Sequence, residues 1–307
     1  MAISPEDIDA GFAQLRSERL LQRRLHEVQD PDFWRALNPE LTISDFPFAR
    51  PTVRPAATAA LAEHCRKQIT TDGYLATPPV IPVDELTRLA NGVLRVVDAG
   101  LPSTLAAVYD EYYTIFDGLA PIFAPLLGDD YVMLTQGVWA FHVPAGDDGR
   151  MLWTAGSPHR DRMAPDARTM AHDVPSVLTL WIPLTDVTTD HSCIYVVPAP
   201  CDEDFYTPER KVDESKIRLQ DIRALPAKAG SVLGWSSHLI HWGSRSSRYV
   251  DTPRLAVTMY FQRRDVPLWH PFHLEPGTPV TFSDRLMWID HSMARPGTLS
   301  GRRPEGV

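Results

Sequence analysis

The spacing of apolar residues changes near residue 130. Before it, apolar positions recur every three or four residues, which is the period of one buried face of an α-helix. Ile8, Phe12 and Leu15 show this spacing near the start of the chain. We therefore expect a first helix there, and further helices near residues 56–70, 83–99 and 103–124.

After residue 130 the apolar runs become short and are separated by turn residues. Six of them are strand-like: 131–144, 176–187, 193–198, 230–235, 238–244 and 254–262. Short strands in series are typical of a β-sandwich or barrel. The sequence thus predicts a mainly β fold with a helical N-terminal layer, in a single domain spanning 1–307. Its parts are helical support (1–130), β core (131–265) and a C-terminal extension (266–307).

Composition excludes several classes of protein. The formal net charge of −9 argues against nucleic-acid binding, which needs a positive surface. No apolar run reaches the roughly 20 residues of a membrane span, and the N-terminus lacks a signal-peptide core. The three cysteines match no paired motif, so we expect a reducing, cytoplasmic setting.

The segment "SPHRDR" at 157–162 places His159 and Asp161 two positions apart. On a strand end such residues point the same way. Two imidazoles and one carboxylate form the ligand set of non-haem Fe(II) oxygenases. A second histidine must then come from later in the chain, and His238 and His241 are the candidates. Taken alone, the pair does not decide between a metal site and a hydrogen-bonded polar loop.

The order of these residues and their flanking strands carries a resemblance. After His159 and Asp161 come "LWIPLTDVT", "IYVVP" and "LPAKAGSVLGW", then His241 and, thirteen positions later, Arg254. Over 131–262 the chain resembles the phytanoyl-CoA dioxygenase-like (PhyH) family of Fe(II)/2-oxoglutarate-dependent dioxygenases. It departs from the family pattern in the turn Asp190-His191-Ser192 and in "SRSSR" after the distal histidine, which concern turns and the substrate side.

The resemblance implies a double-stranded β-helix core (jelly-roll, cupin-like), with Fe(II) and 2-oxoglutarate as cofactors. It implies His159, Asp161 and His241 as the catalytic iron ligands. Arg254 would bind the distal carboxylate of 2-oxoglutarate, with Arg245 or Arg248 as alternatives.

Other residues are weaker candidates. Thr135 and Gln136, on the strand before the metal motif, could hydrogen-bond the co-substrate. Four more could line the substrate site: Arg160, Arg162, Trp153 and Trp235. For the tryptophans, including Trp181, core packing is the first interpretation. The polar stretch 162–175 could form a lid, and specificity is expected to depend on 199–225 as well.

The implied function is oxidation of a C–H bond of a small-molecule metabolite with O2, by hydroxylation or a related reaction. Decarboxylation of 2-oxoglutarate would give succinate and CO2. Two alternatives stay open: a cupin-like metalloenzyme that does not use 2-oxoglutarate, and a non-catalytic ligand-binding protein on the same fold. Neither nucleic acid nor membrane is an expected partner.

Overall fold

The structure is a computed structural model. It describes residues 21–47, 54, 56–128, 130–146, 157–161, 175–206, 212–244, 246–269, 273–275 and 278–293. The first predicted helix, Trp153, Arg162, Arg245 and nearly all of the predicted lid lie outside the described residues.

Helices dominate the first part of the chain, as predicted. Their bounds are α1 Leu25–Val28, α2 Pro31–Leu37, α3 Ala59–Asp72, α4 Val83–Asp98, α5 Asp110–Asp117 and α6 Ala120–Leu127, with α7 at Phe282–Ser292. In α4 the residues Leu86, Leu89, Val93 and Val96 are buried, at the three- and four-residue spacing of one helix face. None of the described helices is long and apolar enough to cross a membrane.

The predicted helix over 103–124 is instead three pieces. A 3₁₀ helix covers Ser103–Val108, and α5 and α6 follow it. Tyr109 between the first two has extended backbone, so the helix is broken there. Gly118 follows α5, and a proline in the first turn of α6 starts a new helix where its missing N–H costs nothing.

In the described residues, nine strands form two antiparallel sheets. The strands are β1 Tyr74–Ala76, β2 Tyr131–Val143, β3 Val177–Pro183, β4 Ile194–Val197, β5 Arg223–Leu225, β6 Leu233–Ser236, β7 Ile240–Gly243, β8 Arg254–Arg263 and β9 His273–Leu274. The larger sheet has the order β1-β6-β3-β8-β2-β9 and the smaller one β5-β4-β7. Together they form the predicted jelly-roll core, and over the residues that the structure describes the two sheets do not close into a barrel.

The larger sheet has two different faces because side chains alternate along a strand. Leu178, Leu180 and Ile182 of β3 pack in the large apolar cluster that contains the helices. Trp181, on the opposite face, packs in a second cluster with residues of the smaller sheet. The helices therefore cover the outside of the larger sheet, and the space between the sheets is left for a site.

The described C-terminal residues 278–293 pack against the same core. Thr281 caps α7, and its side chain and that of Asp284 form a reciprocal capping box. Leu286 and Ile289 of α7 are buried in the helix-side cluster. Ser292 Oγ donates to the Thr135 carbonyl of β2 at 2.9 Å.

An irregular step in β2 shapes the sheet next to the site. Leu134 is opposite Tyr260 of β8, but the next paired residue of β2, Trp139, is opposite Thr258. Gly137 lies in this step, and a Cβ there would be 2.4 Å from the Tyr260 backbone nitrogen. Only a residue without a side chain allows so close an approach.

We expect Gly137→Ala to destabilise the protein by about 1–3 kcal/mol, because the added methyl group must displace β8. Urea unfolding measures this. Gly146→Ala is the control, since a Cβ at Gly146 meets nothing within 4 Å and only the left-handed backbone (φ +68) is strained. A loss of stability in Gly137→Ala no larger than that in Gly146→Ala would contradict the claim that close packing against β8 requires glycine at residue 137.

Candidate metal centre

His159 and His241 are joined through their backbones. His159 N donates to His241 O at 3.1 Å, and His241 N donates to His159 O at 2.9 Å. This antiparallel bridge extends the smaller sheet at the edge of β7, which carries His241. The two ends of the predicted motif, 82 residues apart in sequence, therefore lie side by side.

Asp161 completes the cluster. One ligand atom from each of His159, Asp161 and His241 can be chosen so that all three lie within 4.8 Å of one another. Asp161 Oδ1 is 3.5 Å from His241 Nε2. Two nitrogen ligands and one carboxylate oxygen converge here, as in a facial triad with open positions.

The histidine rings are oriented by main-chain carbonyls. His159 Nδ1 lies 2.8 Å from Ser157 O, and His241 Nδ1 lies 3.0 Å from Leu239 O. A carbonyl oxygen can only accept, so each Nδ1 carries the proton. Each Nε2 then has its lone pair available for a metal ion.

Three donors from three adjacent strands hold the Asp161 carboxylate. Thr179 Oγ1 of β3 and Trp235 Nε1 of β6 donate to Oδ2 at 2.7 and 2.8 Å. Tyr260 Oη of β8 donates to Oδ1 at 3.1 Å. Thr179 is directly opposite both Trp235 and Tyr260 in the sheet, so one cross-strand row supplies all three.

These contacts set the charges of the cluster. Burial disfavours the charged Asp161, but the neighbouring histidines and the Thr179 hydroxyl outweigh it, and the pKa of Asp161 is lowered. Burial, with the neighbouring His241, lowers the pKa of His159 to about 4. Burial opposes a charge on His241 too, yet Asp161 and the Leu239 carbonyl outweigh it and raise the pKa of His241.

The donor set fits Fe(II). At neutral pH Asp161 is ionised and His159 is neutral, so both can act as ligands without losing a proton. Carboxylate and imidazole ligands suit this metal ion. The residues therefore fit the cofactor that the resemblance implies.

Arg254 lies at the start of β8 and is 4% exposed. Its Nη1 donates to Ser192 O at 2.5 Å, and its guanidinium is 5.9 Å from the Trp181 ring centroid. Burial lowers the pKa of Arg254 to about 10, which still leaves it charged. A buried guanidinium of this kind suits a carboxylate ligand.

Ser192, which fixes Arg254, has a positive φ of 55. Its hydroxyl donates to Ser244 O at 2.5 Å, tying the turn to the chain after β7. The turn that departs from the family pattern therefore contains a left-handed residue that is not glycine. The hydrogen bond of the Ser192 hydroxyl holds this residue to the chain after β7.

The candidate ligands and Arg254 line one cavity of about 280 Å³ between the sheets. Its described lining is Trp139, Phe141, His159, Arg160, Asp161, Thr179, Trp181, Ile194, Trp235, His241, Gly243, Arg254, Thr258 and Tyr260. Trp235 is thus at the cavity as expected, and its ring lies 4.6 Å from that of His241. The sequence did not point to Thr179 or Tyr260 as partners of Asp161, although a threonine within the apolar run "LTLWIP" was a possible signal.

Thr135 and Gln136 are not in this described lining. The Trp139 Nε1 donates to the Gln136 carbonyl at 3.3 Å. Within the irregular step in β2, the Gln136 backbone therefore holds the ring of Trp139, which lines the cavity. The Thr135 carbonyl accepts from α7. Their positions therefore do not support the expected contact with the co-substrate.

Arg160, the candidate contact for an anionic substrate, lines the cavity and also makes a buried ion pair. Its Nη1 and Nη2 donate to Asp202 at 2.6 and 3.1 Å, and the two side chains are 3% and 5% exposed. Nη1 also donates to the carbonyl of His238. Arg160 thus connects the metal motif to two other loops.

The alternatives to His241 and Arg254 do not take part in the cluster or the cavity lining that the structure describes. His238 is fully buried with Nδ1 2.9 Å from Phe205 O, and the His–Asp–His cluster contains His241 in its place. Arg248 is exposed and donates to the neighbouring Tyr249 hydroxyl at 2.6 Å. Among the described arginines, Arg254 and Arg160 line the cavity.

Comparison with known proteins agrees with this geometry. Residues 119–248 match the family model described as phytanoyl-CoA dioxygenase (PhyH). This segment contains the three candidate ligands and ends before Arg254. No curated protein matches the chain.

Several solved structures are similar to this chain at low sequence identity, and EvdMO1 has a TM-score above 0.5. EvdMO1 is 19% identical with a TM-score of 0.51, over 66% of this chain and 50% of that one. The α-ketoglutarate-dependent epimerase SnoN from nogalamycin biosynthesis is 15% identical with a TM-score of 0.48, over 73% and 94%. AviO1 from Streptomyces viridochromogenes Tue57 is 16% identical with a TM-score of 0.47, over 67% and 97%.

The family match over residues 119–248 and the His–Asp–His cluster agree with the predicted resemblance to the phytanoyl-CoA dioxygenase-like family of Fe(II)/2-oxoglutarate-dependent dioxygenases. The cluster fits Fe(II), and Fe(II) and 2-oxoglutarate are the cofactors that this resemblance implies.

We expect Asp202→Asn to lower the free energy of unfolding by about 3–5 kcal/mol, because it leaves the buried Arg160 guanidinium without its carboxylate. Asp186→Asn is the matched control, since the Asp186–Lys228 pair is exposed and is expected to contribute at most about 1 kcal/mol. Urea unfolding of both variants provides the comparison. Equal losses of unfolding free energy in the two variants would show that burial of the Arg160–Asp202 pair does not change its contribution to stability.

Metal affinity should depend on pH through one proton. Below its raised pKa, His241 is protonated and a metal ion must displace that proton; above it, no displacement is needed. His159 stays neutral above about pH 4 and adds no slope. We therefore expect affinity to rise roughly tenfold per pH unit up to the His241 pKa and then level off. Titration with Co(II) between pH 5.5 and 8.5 measures this, and an affinity independent of pH would contradict it.

Proposed function

We propose that this protein oxidises a C–H bond of a small-molecule metabolite, using Fe(II), 2-oxoglutarate and O2. The co-substrate is converted to succinate and CO2, and hydroxylation is the default outcome. The observation that carries the proposal is that His159, Asp161, His241 and the buried Arg254 all line one cavity.

In this proposal the three residues of the cluster are the iron ligands. His159 and His241 bind through Nε2, since their Nδ1 atoms are committed to carbonyls. Asp161 Oδ2 receives two donors, so Oδ1, which faces His241 Nε2, is the ligand oxygen. Thr179, Trp235 and Tyr260 fix the orientation of the carboxylate.

Arg254 binds the distal carboxylate of 2-oxoglutarate. Its position is set by Ser192 O and by the Trp181 ring, so the guanidinium is oriented before the ligand arrives. In a buried site a charge-assisted pair of this kind is strong because little water competes.

Bound Fe(II) and 2-oxoglutarate supply the oxidising chemistry. The protein orients the substrate beside the metal and limits the access of water. The aromatic rings that line the cavity, Trp139, Phe141, Trp181, Trp235 and Tyr260, serve both purposes.

The direct test is an anaerobic titration with Fe(II) and 2-oxoglutarate, followed by the visible charge-transfer absorption of the chelate. We expect the band in the wild-type protein and its loss in His159→Ala. In Arg254→Ala we expect the 2-oxoglutarate concentration at half-saturation to rise at least about tenfold, with partial recovery in Arg254→Lys. Arg248→Ala is the control, because that arginine is exposed and away from the cavity.

Turnover completes the test. Oxygen-dependent succinate formation should require His159, Asp161 and His241. Metal-dependent turnover without 2-oxoglutarate, unchanged in Arg254→Ala, would instead indicate a cupin-like metalloenzyme. Ligand binding without any metal binding would indicate a non-catalytic protein.

A further inference from the structure

Two aromatic residues stand side by side on the cavity wall. Trp139 and Phe141 are two positions apart on β2, so they share one face of the sheet. Both line the cavity, and their rings are parallel to within 11°, with centroids 6.1 Å apart. A flat ring can therefore lie parallel to both at once.

The backbone and the indole of Trp139 are both held in place. Its Nε1 donates to Gln136 O at 3.3 Å, and its backbone nitrogen donates to Tyr112 Oη at 3.1 Å. The residues opposite Trp139 and Phe141 on β8 are small, Thr258 and Ala256. Both rings remain only half-buried.

The polar side chains of the described lining are already engaged within the protein. Thr179, Trp235 and Tyr260 donate to Asp161. Thr258 Oγ1 donates to Gly137 O at 3.1 Å, and Arg160 pairs with Asp202. The described wall on the β2 side therefore offers a ligand aromatic faces, and stacking is the interaction that those faces favour.

We propose that Trp139 and Phe141 form a substrate subsite that binds a flat aromatic ring by stacking. This inference rests on the proposed function only in taking the occupant to be the substrate. It names an aromatic substrate class for the site. It assigns the preference for aromatic over saturated substrates to two side chains that hold neither the metal nor 2-oxoglutarate.

The test uses two probes with the same carbon skeleton and hydroxyl group, 2-naphthol and decahydro-2-naphthol. Binding is measured by calorimetry under anaerobic conditions, to the protein loaded with Fe(II) and 2-oxoglutarate. We expect 2-naphthol to bind more tightly than the saturated probe. Trp139→Leu and Phe141→Leu should each weaken 2-naphthol binding by roughly 2- to 12-fold and leave the weaker binding of decahydro-2-naphthol nearly unchanged.

Tyr195→Leu is the matched control. Tyr195 stacks on Trp242 with centroids 5.6 Å apart, but neither ring is in the described lining of the cavity. It should not change the binding of either probe. The charge-transfer band of the Fe(II)–2-oxoglutarate chelate, recorded for each variant, shows that its metal site is intact.

The outcomes separate the two proposals. If the band forms but 2-naphthol does not bind, binds no better than decahydro-2-naphthol, or binds equally to all variants, the aromatic subsite is overturned and the proposed function stands. If no band forms in the wild type but 2-naphthol binding depends on Trp139 and Phe141, the subsite stands and the proposed function fails. Absence of both the band and 2-naphthol binding overturns both.

Discussion

The burial of one ionised carboxylate, Asp161, constrains the rest of the site. A buried charge is tolerated only when donors or cations compensate for it. Thr179, Trp235 and Tyr260 provide three such donors, from three neighbouring strands. The register of β3, β6 and β8 must therefore bring these residues into one row. A shift of one of these strands by one residue would turn its own donor to the helix side. The pairing of these strands therefore also sets the orientation of the Asp161 carboxylate.

The same segment also joins the two sheets. His159 pairs through its backbone with His241 of the smaller sheet, while Asp161 is held by the larger sheet. Arg160, between them, reaches Asp202 and the carbonyl of His238. Because these contacts involve backbone atoms or buried charges, they fix the segment more firmly than apolar packing alone, and a metal ion would find its ligands already positioned.

Much of the fold and of the site could be predicted from local pattern. The short apolar runs after residue 130 located β2, β3 and β8, and the ordered motif placed His159, Asp161 and His241 together. The partners of Asp161 and of Arg160 could not be predicted, because they depend on cross-strand register and on loops distant in sequence. Thr135 and Gln136 were expected at the site from their place on the strand before the metal motif, but neither is in the described lining of the cavity, and the irregular step of β2 lies beside them. Arg160 lies at the cavity, but nothing in the sequence indicates Asp202 as its partner.

The most direct test of this account is an anaerobic crystal structure with Mn(II) in place of Fe(II) and with 2-oxoglutarate bound. It should show the metal ion on His159 Nε2, His241 Nε2 and Asp161 Oδ1, with Oδ2 still accepting from Thr179 and Trp235, and the distal carboxylate of 2-oxoglutarate on Arg254. A metal ion bound elsewhere, or an Asp161 carboxylate that has turned away from Thr179 and Trp235, would contradict the claim that the sheet positions this ligand.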